Sequence, residues 1–170
     1  MKTSLRIPEQ LLRTIRADLS RPHPFAGERV GFIACRAASL ANDGLLLLGS
    51  CYLPVADEHY VNEPTVGAMM GSSAIRAALQ YAYSEASCMF HVHQHEHMGL
   101  PRFSPVDLKG YAAFVPNFWH VRPNLPHGAL VLSHNAATGL CWHPNTKQAL
   151  PVNSISVVGL HTQEIGGHKS

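Results

Sequence analysis

Charge is scarce in this sequence: Asp, Glu, Lys and Arg together make up 14% of its 170 residues, and 13 Lys plus Arg nearly balance 11 Asp plus Glu. No dense basic run is present, so a partner bound by neutralising many phosphates is excluded, and with it nucleic acid. Long apolar runs are also missing. None approaches the roughly 18 residues that a membrane-spanning helix needs, and the first residues, Met1-Lys2-Thr3, open a polar stretch rather than a leader. A cytoplasmic protein without membrane contact is expected. Cysteine is sparse: Cys35, Cys51, Cys88 and Cys141 form no CxxC pair, which argues against a thiolate zinc knuckle or a redox motif and leaves them as free core thiols.

The chain has ample hydrophobic residues, 46% of the total, enough at this length for one core without a staple. A single domain over 1–160 is expected, with 161–170 as a flexible tail. What stands out is histidine. There are 12, four of them within His91-Val92-His93-Gln94-His95-Glu96-His97.

Apolar Leu11, Leu12, Ile15 and Leu19 recur at helical intervals after Pro8, and Ile75, Ala78, Leu79 and Ala82 do so within 72–85. β-prone runs at 29–36 and 45–53 read as an antiparallel pair with a turn at Asn42-Asp43-Gly44. Cys88-Met89-Phe90 starts a buried strand that leads into the histidines. Ser104-Pro105-Val106-Asp107 offers a cap residue, proline at the first helical position and an acid at the third, which starts a helix. A short strand at 119–121, a hairpin from 128–133 and 139–142, and a run at 154–160 complete the pattern. This order predicts an α/β fold, a mixed and largely antiparallel sheet flanked by helices.

Two residues apart in an extended segment, His91 and His93 leave the same side of the strand and can reach one divalent ion. Asp107 follows His93 by 14 residues, in the first turn of the next helix. Two imidazoles and a carboxylate would leave a fourth tetrahedral position for water, as in a catalytic zinc site. Each residue has a plainer reading as well. Asp107 stabilises a helix N-terminus unaided, Ser104 serves as a cap, and the histidines could be a hydrogen-bonded pair at a sheet edge. Amide hydrolysis would further need a base, and spacing alone does not choose Glu28 over Glu58, Glu63 or Glu96.

The ordered set Glu28-x-x-Gly31, His91-x-His93 and Ser104-x-x-Asp107 resembles the JAB/MPN (JAMM) zinc metalloprotease family, in particular its bacterial JAB-domain branch. The resemblance spans about residues 8 to 145. It implies a JAB/MPN-like sheet related to that of cytidine deaminases, Zn2+ held by His91, His93 and Asp107, Glu28 as the base, and Ser104 at the developing oxyanion. The implied activity is that of an isopeptidase or peptidase that removes or processes a ubiquitin-like protein, with activating- or conjugating-type enzymes as companions. The sequence departs from the family pattern where Gln94 replaces the usual proline and where 13 residues, not ten, separate His91 from Ser104. Counted from His93 the separation is 11, so His93 with His95 is a rival ligand pair, and His95 and His97 are alternatively supports or groove residues. Two other functions compete: a small-molecule amide or sulfur-metabolite hydrolase using the same zinc centre, and a non-catalytic MPN-like scaffold that binds protein.

Overall fold

The computed structural model describes residues 2–41 and 43–168; the expected turn at Asn42 and the tail residues Lys169 and Ser170 lie partly or wholly outside them. The chain runs β1 (Lys2–Pro8), α1 (Glu9–Leu19), β2 (Val30–Leu40), β3 (Gly44–Pro54), α2 (Ser72–Glu85), β4 (Cys88–Gln94), α3 (Pro105–Phe114), β5 (His127–Leu132), β6 (Ala137–Trp142), β7 (Ala149–Pro151), β8 (Ser154–Val158) and β9 (Thr162–Gly166). Short 3-10 turns occupy Asp57–His59 and Val115–His120.

The expected helix-flanked open sheet does not form, and the JAB/MPN-like fold class is thereby corrected. The strand order is β5-β4-β2-β3-β1-β8-β9-β6, and β6 pairs back onto β5, so eight strands close into a mixed barrel with β7 attached to β6. The sheet is mixed, as expected, with β2/β3, β2/β4, β5/β6, β6/β7 and β8/β9 antiparallel and β1/β3, β1/β8, β4/β5 and β6/β9 parallel. The difference comes from two strands that sequence reading does not supply. β1 joins β3 to β8, and β9 joins β8 to β6 through a single pair, Ala137 opposite Gly166. β9 also places Thr162–Gly166, part of the expected tail, in the sheet. The segment expected as a strand at 119–121 is instead the end of a 3-10 turn and the residue after it.

Alternation along the strands divides the core. Ile33, Cys35, Phe90 and Val92 point to a cluster with Leu5, Ile7 and the buried α1 residues Leu12, Ile15 and Leu19. Phe32, Ala34 and Met89 point the other way, against Ala74, Ala78 and Ala82 of α2 and against Phe118. The central strand β4 is therefore buried along its whole length on both faces. All four cysteines are free, and burial pushes the Cys88 thiol up to about 12.

Polar side chains on such strands must be neutral and hydrogen-bonded. His127, fully buried on β5, accepts a hydrogen bond at Nδ1 from the Met89 amide (3.1 Å) and stacks on Phe118. Its Nε2–H faces the Arg122 carbonyl at 3.4 Å. Burial lowers its pKa to about 4, and burial similarly lowers His93 to about 4 and His91 well below the usual imidazole value. In the unfolded chain these rings titrate near 6.5. Between the two values the unfolded state binds more protons, so stability is complete above about pH 6.5 and falls as the pH drops toward 4. Urea unfolding of the metal-free protein across that range should show the midpoint falling, and His127→Gln should flatten the slope. A midpoint independent of pH would mean that these imidazoles are not buried in neutral form.

Candidate metal centre

β4 carries His91 and His93 on the face that α3 covers, and Tyr111 of α3 lies over both. The Tyr111 hydroxyl is 3.1 Å from His91 Nδ1 and 2.9 Å from His93 Nδ1. One hydroxyl has one proton to donate, so it can donate to one imidazole while accepting from the other. His93, only 1% exposed, then turns Nε2 outward to His95, just past the strand end, with 3.1 Å between the two Nε2 atoms. Two lone pairs cannot face one another at that distance without a proton or a cation between them.

Glu28 reaches the same place from the residues before β2. Its amide donates to the Gly67 carbonyl at 3.0 Å. A Cβ on residue 67 would sit 2.8 Å from the Glu28 carboxyl carbon, so glycine is what lets the loop pass so close. Next to it, Arg29 is buried, donating to the carbonyls of Arg21 and Pro22 at 2.8 Å each and to Asp57 at 2.6 Å. That guanidinium anchors the approach to β2 and is spent on partners away from the histidines. Farther along the strand, Gly31 has no room for a Cβ beneath Tyr52.

Asp107 enters from α3. Its Oδ2 accepts from both the amide and the hydroxyl of Ser104, at 2.8 Å each, while its own amide donates to Ser104 Oγ at 3.1 Å. This is a reciprocal capping box. The same Oδ2 lies 3.7 Å from His93 Nε2. Burial, and then the charge of Asp107, raises the pKa of Glu28 above its ordinary value.

Ligand atoms of Glu28, His93 and His95 all lie within 4.8 Å of one another, a spacing compatible with one ion. Of the residues singled out from sequence, Glu28 and His93 meet here, joined by His95 from the rival pair, while Asp107 stands outside this group with its Oδ2 3.7 Å from His93 Nε2. His91 stands behind His93, its Nδ1 engaged by Tyr111, with 6.1 Å between the two ring centres. Ser104 is present as the cap that holds Asp107. Two contributors went unread: Gly67, for which the sequence carries no signal, and Tyr111, which falls four residues after Asp107 and hence on the same helix face.

The cluster lines a cavity of about 440 Å3 whose other lining residues are mostly apolar. A second cavity of about 360 Å3, with Arg21, Gln94 and Glu96 in its walls, meets the first at Glu28 and His95. No family model matches the chain, and no curated protein matches it.

A hydrogen bond to the far nitrogen of a ligating imidazole fixes its tautomer and orientation, and its loss typically costs 10- to 100-fold in metal affinity. Tyr111→Phe should therefore weaken zinc binding by about that factor, read by competition with a chromophoric chelator. Unchanged affinity would show that the hydroxyl does not prepare His93 for metal.

Proposed function

We propose that the protein is a zinc-dependent amide hydrolase in which His93, His95 and Asp107 hold the ion and Glu28 is the base. The observation that carries this reading is the 3.1 Å approach of two imidazole Nε2 atoms, with Asp107 Oδ2 3.7 Å from that of His93 and a Glu28 carboxylate oxygen also near both rings. Nitrogen and carboxylate donors in that mixture suit zinc. When bound, zinc would polarise a carbonyl and make hydroxide accessible near neutral pH.

The remaining chemistry belongs to side chains. Glu28, half-buried and with its pKa raised, is placed to take a proton from water and return it to the departing amine. Tyr111 fixes the ring of His93, and Ser104 holds the Asp107 carboxylate. The oxyanion role that the motif resemblance implies for Ser104 would require its hydroxyl to leave Asp107 first. Against the ligand set His91, His93 and Asp107, this reading replaces His91 with His95 and keeps His91 as a support for the Tyr111 hydroxyl.

The order of Glu28, the histidines, Ser104 and Asp107 supports an isopeptidase or peptidase acting in the cytoplasm on a ubiquitin-like protein or its conjugate. A second reading, hydrolysis of a small-molecule amide, is favoured by the volume and apolar walls of the cavity. A protein-binding scaffold would have no use for four convergent ligand and base side chains.

Zinc per monomer, measured by elemental mass spectrometry, separates the assignments. Parent and Glu28→Gln should carry about one ion, His95→Ala and Asp107→Ala should lose it, and His91→Ala should retain most of it. Glu28→Gln should also abolish turnover of a zinc-loaded peptide amide assay. Loss of zinc in His91→Ala with retention in His95→Ala would restore the other ligand set, and turnover by Glu28→Gln would remove Glu28 from the chemistry.

A further inference from the structure

Gly110 sits inside α3, where glycine costs a helix about 1 kcal/mol relative to alanine. Such a residue commonly makes room for a packed neighbour, yet a Cβ built at Gly110 meets nothing within 4 Å. Gly110 is exposed and forms part of the cavity wall, one residue before Tyr111 and three after Asp107, so a side chain there would border the cavity. The wall also includes Ile75 of α2, the loop residues Val66 and Met70, Val30 of β2, which is paired with His93, and Phe114 of α3, which packs on His91. At its mouth Val106 and Met69 are 58% and 40% exposed, large apolar side chains left in water. Unbranched methionines adapt their shape to what they cover.

The wall of one cavity thus joins Glu28, His93, His95 and Asp107 to the apolar side chains of Ile75, Val66, Met69, Met70 and Val106. The adjoining cavity across Glu28 and His95 has charged and amide side chains in its wall, so an apolar group bound beside the cluster has one place to go. An extended tail of two glycines would leave a space of about 440 Å3 largely unfilled.

We infer that the cavity bounded by Gly110, Ile75 and Met70 receives a bulky apolar group, an aromatic or branched aliphatic side chain or acyl chain, attached beside the amide to be cleaved, and that Gly110 is the residue that keeps it open. The inference rests on the amide-hydrolase reading for the identity of the bond, but the apolar recognition is independent of zinc and of turnover. It makes the preferred substrate a short peptide or an acylated amine with a large apolar residue at the scissile position, rather than a glycine tail.

The test uses protein labelled with 13C in its methionine methyl groups and two probes, N-acetyl-phenylalaninamide and N-acetyl-glycinamide. The phenylalanine probe should shift the Met69 and Met70 signals saturably, and the glycine probe should bind roughly tenfold more weakly or worse. Gly110→Phe fills the space without a clash and favours the helix, so it should remain folded, with the core Met89 signal in place, while losing about tenfold or more in affinity for the phenylalanine probe. Equal binding of the two probes, no shift at Met69 and Met70, or unchanged affinity in Gly110→Phe would each overturn the inference.

Failure of the functional reading would look different. If the phenylalanine probe binds but the parent neither retains zinc nor cleaves any amide, the pocket stands and the hydrolase falls. If zinc is retained and glycine-tailed amides are cleaved as fast as phenylalanine amides, the hydrolase stands and the pocket assignment falls.

Discussion

The proton on the Tyr111 hydroxyl is shared between two buried imidazoles, and the polarity of the site follows from where it goes. If Tyr111 donates to His91, it accepts from His93 Nδ1–H, and His93 is then the tautomer with its lone pair at Nε2, facing His95. That is the form in which a histidine ligates metal. Donation in the opposite sense would put the His93 proton on Nε2 and leave Nδ1 as acceptor. The second arrangement is compatible with an empty cluster, because the Nε2 proton can then bridge to His95. Binding of a cation between the two rings would reverse the direction of the whole chain, so His91 takes part through its hydrogen bond to Tyr111.

The barrel matters to this arrangement because it leaves β4 with no exposed face. On one side Phe90 and Val92 are sealed against the α1 cluster, and on the other His91 and His93 lie under Tyr111 and Phe114 of α3. Burial on both faces holds the imidazoles neutral at pH values where free histidine is partly charged. The strand end then releases His95 into a half-buried position, and the chain turns away with its backbone still tied down: the His95 amide donates to the Leu132 carbonyl at 2.8 Å. A rigid histidine and a more accessible one are thereby set two residues apart on the same side.

Much of this frame was legible. The helices at 9–19 and 72–85 follow directly from apolar residues at three- and four-residue spacing, and the capping signature at Ser104 gives the start of α3, including the contact that holds Asp107. The motif pattern singles out Glu28, the histidine-bearing strand and Asp107, although spacing alone does not select Glu28. The closure of the sheet was less accessible for two different reasons. β1 does carry the alternation, with Thr3, Leu5 and Ile7 buried, but in a short segment directly followed by a helix. β9, Thr162–Gly166, has one large apolar residue and owes its extended state to pairing with β8. The choice between His91 and His95 was likewise beyond periodicity, since three alternate histidines share a face and only the position of Tyr111 on α3 decides which ring is tied back.

Charge explains why this cluster would gain from a cation. Glu28 and Asp107 are close enough for the second to raise the pKa of the first, and burial raises it further. His93 cannot offset them, since its burial outweighs the attraction of Asp107 and holds it neutral above about pH 4. Arg29 is next to Glu28 in sequence, but its guanidinium is committed to Asp57 and two carbonyls. Moving Arg29 to the cluster would relieve the repulsion but would fill the space between Glu28 and the histidines. A divalent ion would relieve it without that loss: it would lower the proton affinity of both carboxylates and resolve the opposed Nε2 atoms, leaving the cavity open beside them.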